Sequence, residues 1–535
     1  MFISTSLECK AETSGPGRYA HHSRVPGRLA FCSSASWLRQ SITKKRQIAS
    51  KARIFAPAEL ATARIPGAGP DKRDRKRRAA VRQESDALGS RDIPAQAMYG
   101  VHTKRASENF QISGQPLAHF PELVAALAQV KFAASKANHA LGMIDNVKAQ
   151  AIQHACDDII GGNHHSEFIV DMIQGGAGTS TNMNANEVIA NLALLRMGKA
   201  SGEYEHLHPN DDVNRSQSTN DVYPTALRLA VLSHVDSFVA AQSHLCATLE
   251  AKALELDPVM KVGRTQLMDA VPMTLGQEFR SFANTIEEDI DRLKEVSQLL
   301  HEVNLGGTAI GTGVNAPVGY SELAIAELSQ KSGFELKPAR NFIEASSDLG
   351  ALVTFSGILK RIAVKLSKIC NDLRLLGSGP RAGLAEIRLP AVQAGSSIMP
   401  GKVNPVIPEV VNQVAFQVIG NDLTVTLASE AGQLQLNAME PIAILNILQS
   451  LRILKRAMLT LADLCVAGIE PNIQSCKTTL ESSLVMATFL VPEIGYEASS
   501  RLAKYAMANG LSLEMAAEEL GLDITEKLCS LQGQS

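Results

Sequence analysis

Between Val271 and Asn304 the apolar residues Leu275, Phe279, Phe282, Ile286, Ile290, Leu293 and Val296 recur three and four apart, with Glu and Asp filling the other face. That spacing lays one stripe of side chains along a single side of a helix. The same period runs through Leu349, Leu352, Phe355, Leu359, Ile362, Leu366, Ile369 and Leu373, and similar stretches cover 224–256, 408–430 and 440–467. The pattern predicts five long helices with short connections, an extended bundle. Several are apolar around much of their circumference, so a single bundle would leave apolar surface in water and other subunits are expected to cover it. A helix from Pro224 to about Leu256 is roughly 50 Å long at 1.5 Å per residue, which sets the loops before and after it at opposite ends. Residues of those two loops cannot meet within one chain.

Composition agrees with helices. Aromatic residues make up only 4% of the chain, where a β-sandwich would want Tyr, Phe and Trp. The expected fold class is all-α, and 535 residues are enough for two or three domains. Net charge is near zero but unevenly spread, because residues 1–83 hold 18 Lys/Arg against 5 Asp/Glu. Residues 1–84, with Lys44-Lys45-Arg46 and Lys72-Arg73-Asp74-Arg75-Lys76-Arg77-Arg78 among Ser, Gly and Pro, have no usable hydrophobic period and are expected to be a disordered, dispensable extension. The first fifty residues have the Arg- and Ser-rich, acid-poor make-up of a transit peptide but show no amphipathic helix. The basic runs are read as a solvated tail rather than a nucleic-acid arm. Eight cysteines are scattered without a Cys-x-x-Cys pair, which favours a reduced, cytoplasmic setting over a zinc site or disulfide framework. No run of eighteen apolar residues occurs, which argues against a membrane span.

The chemistry concentrates in Gly395-Ser396-Ser397-Ile398-Met399-Pro400-Gly401-Lys402-Val403-Asn404-Pro405. Two hydroxyls, a glycine-bounded turn, a cation and an amide fall within eleven residues, the equipment for taking a proton from carbon beside a carboxylate and stabilising the enediolate that forms. A bare Gly-Ser-Ser would be an ordinary turn; the full run is far less expected by chance. Three other segments are dense in neutral hydrogen-bonding groups: Gln174–Glu187, His208–Asp221 and Gly263–Asp269. In the first, Ser, Thr and Asn ahead of a helical Glu187-Val188-Ile189-Ala190 also fit a plain helix cap.

These four segments, in this order and spacing, resemble the substrate-contact regions of the fumarase/aspartase superfamily, and Val406-Ile407-Pro408-Glu409-Val410 looks most like its aspartase branch. The resemblance runs from about residue 86 to near the C-terminus. It implies an N-terminal lyase domain over 85–221, a central bundle over 222–473 that carries the signature loop and assembles into a tetrameric helical core, and a small C-terminal helical domain over 474–535. It further implies that Ser396 is the general base for C3 of L-aspartate, held as alkoxide by N–H donors in a closing loop. Ser397, Thr179, Ser218 and Thr219 would hold the β-carboxylate as it becomes the enediolate. Lys402 and Asn404 match positions for the α-carboxylate, and Asn220 and Thr265 would orient the amine, which leaves as ammonia to give fumarate.

At Gln266 fumarases carry a histidine, which works with the acid matching Glu409 on the water they add or expel. Hydroxide needs a proton delivered as it leaves, whereas an ammonium carries its own, so a non-titrating Gln266 favours deamination over hydration. Glu409 reads equally as a first-turn acid favoured by the helix dipole. His208 matches a secondary-site residue of fumarases and is read as a solvated loop residue; His164-His165 is assigned to a surface turn, not a metal pair. The resemblance implies a homotetramer with shared sites and no bound cofactor, a divalent cation such as Mg2+ entering only as an activator. Fumarate hydratase is the alternative activity, and a non-catalytic structural protein on the same scaffold is the alternative class.

Overall fold

The computed structural model describes residues 80–522 and 524. The basic clusters at 44–46 and 72–78, and with them most of the expected extension, lie outside the described residues. The described chain opens with a hairpin, β1 (Val81–Asp86) paired antiparallel to β2 (Gly89–Pro94). Residues 81–84, expected in the extension, are integral to it. Arg82 donates to the carbonyls of Ala97 and Tyr99, each at 2.7 Å, and pairs with Glu84 at 2.8 Å, while the buried Glu84 accepts the Val101 N–H. A chain beginning at residue 85 should therefore melt several degrees below one beginning at residue 78 in a thermal scan, because it orphans those backbone groups. Equal midpoints would refute that.

Four shorter helices follow, α1 (Val101–Asn109), α2 (Pro121–Ala140), α3 (Asn146–Ile160) and α4 (Thr179–Arg196). The five long ones are α5 (Thr219–Leu256), α6 (Leu275–Ser297), α8 (Gly350–Leu376), α9 (Val406–Glu430) and α10 (Glu440–Leu464), with α7 (Tyr320–Ser332) between α6 and α8. In the bundle α5 packs on α6, α6 on α8, α8 on α9, α9 on α10, and α10 back on α5. Helices α11 (Ile473–Ser482), α12 (Ala487–Asn509) and α13 (Leu513–Leu520) complete the fold, the last two around a separate small core of Leu490, Leu502, Ala506 and Ala516. The helical expectation holds, with four two-stranded sheets added to it among the described residues.

The stripe on α8 is buried at all eight predicted positions. On α6, Ile290 is only half-buried and its neighbour Asp289 is fully buried instead, paired with Lys365 at 2.9 Å and Arg361 at 2.8 Å from α8. Periodicity sees only apolar residues and so misses a carboxylate buried with its cations. Helix α5 starts five residues before Pro224. It is opened by a capping box in which the Ser218 hydroxyl caps the first turn and the Asp221 carboxylate accepts the Ser218 N–H at 2.9 Å. Pro224 has no N–H for the Asn220 carbonyl, and Asn304 donates to that carbonyl at 3.0 Å in its place.

On α9 the residues Val410, Phe416, Ile419, Leu423 and Leu427 are exposed at helical spacing, Phe416 by 63%. In the bundle interior, by contrast, Glu440 at the start of α10 is buried near the buried Arg228 of α5. Burial pushes the Glu440 carboxyl up to about 8 from an ordinary 4.5, and Arg228 pulls it back only in part. The native state therefore holds a proton that the unfolded chain has released between those two values, so stability contributed by the neutral form is lost as pH rises through about 8. Glu440→Gln should change the melting midpoint little near pH 5. It should gain on the parent as pH is raised to 9, by about 2–4 kcal/mol. A pH-independent difference between the two proteins would contradict this.

Candidate active site

Ser396 lies in the loop between the short strand Ile387–Arg388 and α9. Its Oγ accepts two backbone N–H groups, from Ile398 at 3.1 Å and Met399 at 3.0 Å. Two donors aimed at one hydroxyl oxygen favour its anionic form, as such a base requires. The loop is closed at its neck, where the Gly395 N–H donates to the Lys402 carbonyl at 2.8 Å and Asn404 Nδ2 donates to the Gly395 carbonyl at 2.7 Å. A Cβ at Gly395 would lie 2.5 Å from that Lys402 oxygen, so glycine is required there. Asn404 thus has a structural bond besides any substrate contact. Ser397, Lys402 and the apolar tip of Ile398, Met399 and Val403 are exposed. Glu409 sits in the first turn of α9 and makes no hydrogen bond to Gln266 among the described residues.

The segment expected to be the loop carrying Thr265 and Gln266 is instead a hairpin, β3 (Met260–Thr265) against β4 (Met268–Thr274). Gln266 and Leu267 form its two-residue turn with φ of +54° and +64°. Both central residues are left-handed, as the type I′ turn of a tight hairpin demands, although neither is the usual Asn or Gly. Asn-Gly was the missing signal, and Gly263 and Pro272 both weigh against a strand.

The remaining candidates gather at the start of α5. Thr179 is the first residue of α4, so the polar run Ser180–Asn186 lies inside a helix and does not precede one. The N-cap is Gly178 at φ +82°, where a Cβ would come within 2.4 Å of the Tyr223 ring. The Thr179 hydroxyl donates to the Gly176 carbonyl at 2.7 Å and stays exposed. The Thr219 hydroxyl accepts from Asn182 at 3.1 Å, and Asn220 Nδ2 donates to the Ala309 carbonyl at 2.8 Å. That leaves Asn220 Oδ1 without a donor among the described residues, the group an ammonium would need.

Beneath these residues a polar network joins two of the polar segments through Lys131, which neither periodicity nor motif pointed to. Lys131, fully buried on α2, donates to Asn214 Oδ1 at 2.8 Å and Gln217 Oε1 at 2.9 Å, and Asn182 and Asn186 donate to the same Asn214 oxygen. Burial brings Lys131 down to about 7. Asp221 accepts the N–H groups of Gly306 and Thr308 at 3.0 Å each, and burial raises it to about 6. The glycine-rich run Asn304–Gly313 thereby packs against Asn220 and Asp221. Its glycines, and Lys131 standing between Val130 and Phe132 of α2, were the available signals.

Two clusters result, not one. Thr179, Ser218, Thr219 and Asn220 occupy the N-terminal end of α5. Thr265 and Gln266 follow its C-terminal end, and Glu386, ten residues before Ser396, pairs with Lys261 of the same hairpin at 2.7 Å. Arg374, in the last turn of α8, reaches Asn412 near the start of α9, so the Ser396 loop also belongs to that end. The 38 residues of α5 put the two ends ~57 Å apart. His208 is a local cap whose Nδ1 accepts the N–H groups of Asn210 and Asp211, both at 3.2 Å. His164, at φ +62°, lies in a turn, and among the described residues no group of side chains has the arrangement of a metal site.

Comparison with known proteins agrees with this architecture. Residues 89–420 match the family model described as Lyase, and residues 486–530 the one described as Fumarase C C-terminus. The chain is 59% identical over 447 residues to an aspartate ammonia-lyase of Pseudomonas aeruginosa, covering 83% of this chain and 94% of the relative. It is 52% identical over 443 residues to that of Escherichia coli strain K12, covering 83% and 93%. Among solved structures, a fumarate lyase:delta crystallin from Brucella melitensis bound to cobalt superposes with a TM-score of 0.83 at 59% identity, covering 85% of this chain and 99% of that one. A class II fumarase from Schistosoma mansoni gives 0.80 at 35% identity, covering 84% and 98%. The chain belongs to the fumarase/aspartase superfamily of lyases.

Proposed function

We infer that the chain is an aspartate ammonia-lyase, a carbon–nitrogen lyase that reversibly converts L-aspartate to fumarate and ammonia. The observation that carries the mechanism is the pair of N–H groups on Ser396 Oγ. As alkoxide, Ser396 takes the proton from C3. The electron pair moves into the β-carboxylate as an enediolate, held by Ser397, Thr179, Ser218 and Thr219, then returns to form the C2–C3 double bond as the C2–N bond breaks. Lys402 and Asn404 bind the α-carboxylate; Thr265 and the free Asn220 Oδ1 receive the amine. Gln266 supports an amine over a hydroxide leaving group, because it cannot deliver a proton.

The ~57 Å between the two clusters supports sites assembled from several chains, and the exposed stripe on α9 supports a homotetramer as the assembly that covers it. Charge stabilisation in this reading comes from the chain's own donors without a bound cofactor. A divalent cation such as Mg2+ has the part of an activator, tested by assay after dialysis against chelator with and without Mg2+. Among the described residues no helix is long and apolar enough to cross a membrane. The five free cysteines among them support a cytoplasmic place. The deciding experiment follows fumarate absorbance with purified protein given L-aspartate or, separately, L-malate. Product from aspartate is expected. Product from malate alone would make the protein a fumarate hydratase, and silence with both would favour a non-catalytic scaffold.

A further inference from the structure

The Gln266–Leu267 turn holds two side-chain-bearing residues in left-handed backbone. Such conformations persist only where surrounding structure over-determines them. Three anchors do so here. The Glu386 carboxylate, 1% exposed, receives Arg264 Nη1 on Oε1, while Lys261 Nζ lies 2.7 Å from Oε2 as an ion pair. Lys261 also pairs with Glu278 in the first turn of α6, and Ser483 donates to Asp269 of β4 at 2.6 Å. Glu386 is itself fixed, its N–H on the Leu376 carbonyl at 2.9 Å and its carbonyl receiving the Asn472 N–H at 2.8 Å. Between Gly263 and Arg264 the pairing register shifts, which twists the strand and re-aims everything beyond it. Arg264 is the first residue past that shift and the one Glu386 grips, immediately before Thr265 and Gln266.

We propose that Glu386 is a positioning residue. Through Arg264 and Lys261 it clamps the β3–β4 hairpin so that the strained turn presents Thr265 and Gln266 in one orientation. Because Glu386 also opens the segment leading to Ser396, the clamp fixes the hairpin to the base of the signature loop. The inference rests on Thr265 and Gln266 facing substrate, but the clamp itself is measurable without turnover.

The test uses Glu386→Gln, Leu267→Gly and the two combined in the full chain. It reads amide hydrogen exchange over residues 260–274 and the kcat and KM for L-aspartate. Glu386→Gln should speed exchange in the hairpin about tenfold or more and lower kcat about 10–100-fold with assembly intact. Glycine at 267 makes the left-handed turn intrinsically favourable, so Leu267→Gly alone should leave kcat unchanged. In the combined variant it should recover most of the lost protection and rate. Rescue by a turn substitution is not expected if Glu386 merely stabilises the core. Unchanged exchange in Glu386→Gln, or a combined variant no better than Glu386→Gln, overturns the proposal. If Glu386→Gln does not fold, Glu386→Asp keeps the charge one methylene short and should show the same loosening and rescue; wild-type exchange and rate in Glu386→Asp would overturn it. A parent protein without ammonia-lyase activity would sink the functional reading alone, leaving exchange to decide the clamp.

Discussion

Replacing Ser396 by Ala is expected to lower kcat for L-aspartate by about three to four orders of magnitude while leaving folding, assembly and KM close to those of the parent. The side chain fills no core: it sits in an exposed loop, and its Oγ only receives the N–H groups of Ile398 and Met399. Losing those two bonds costs about 1 kcal/mol locally, because water can take over exposed donors. The loss of the base is different in kind. In the proposed mechanism the alkoxide acts on the C3 proton in the transition state and contributes little to ground-state binding, so kcat and kcat/KM should fall together. Ser397→Ala, which in that mechanism removes a carboxylate donor and no base, should fall much less and raise KM. A Ser396→Ala protein that turns over aspartate within tenfold of the parent, assembled as before, would remove Ser396 from the chemistry.

What could be read in advance follows from which signals are local. The helices of the bundle were legible because a buried stripe repeats every 3.6 residues, and Leu349 to Leu373 needed nothing else. The start of α5 was not, because Pro224 looks like a first residue until Asn304 is seen satisfying the carbonyl that the proline leaves open. The β3–β4 hairpin was hidden for a related reason, since its Gln-Leu turn has no intrinsic preference for left-handed backbone and is held by Glu386, 120 residues further on. Site chemistry divided the same way. Ser396, Lys402 and Asn404 stand in one run and could be named together. Lys131, Asn182, Asn186, Asn214 and Gln217 come from three separate segments, and only folding makes them one network. Even Ser218, a candidate contact, turned out to share a capping box with Asp221, three residues further on.

Mixing two inactive proteins should restore activity. Ser396→Ala removes the proposed base at one end of the bundle, and Asn220→Ala removes the proposed amine acceptor at the other, ~57 Å away along α5. If a site needs Ser396 from one chain and Asn220 from another, an assembly of either variant alone has no intact site. Unfolded together and refolded one to one, the chains assemble at random, and a site is intact when the first contributor carries Asn220→Ala and the second carries Ser396→Ala. That happens with probability about one in four, so the mixture should recover about a quarter of parental activity. Combining Ser396→Ala with Lys402→Ala is the control, because those residues share one loop and the same chain supplies both; no site can then be whole. Recovery in the first mixture and none in the second would place the two clusters on different subunits of one pocket. No recovery in either, with hybrid assembly verified by native mass spectrometry, would mean that each chain closes its own site. The bundle could then not keep the geometry described, since no side chain reaches across a helix of 38 residues.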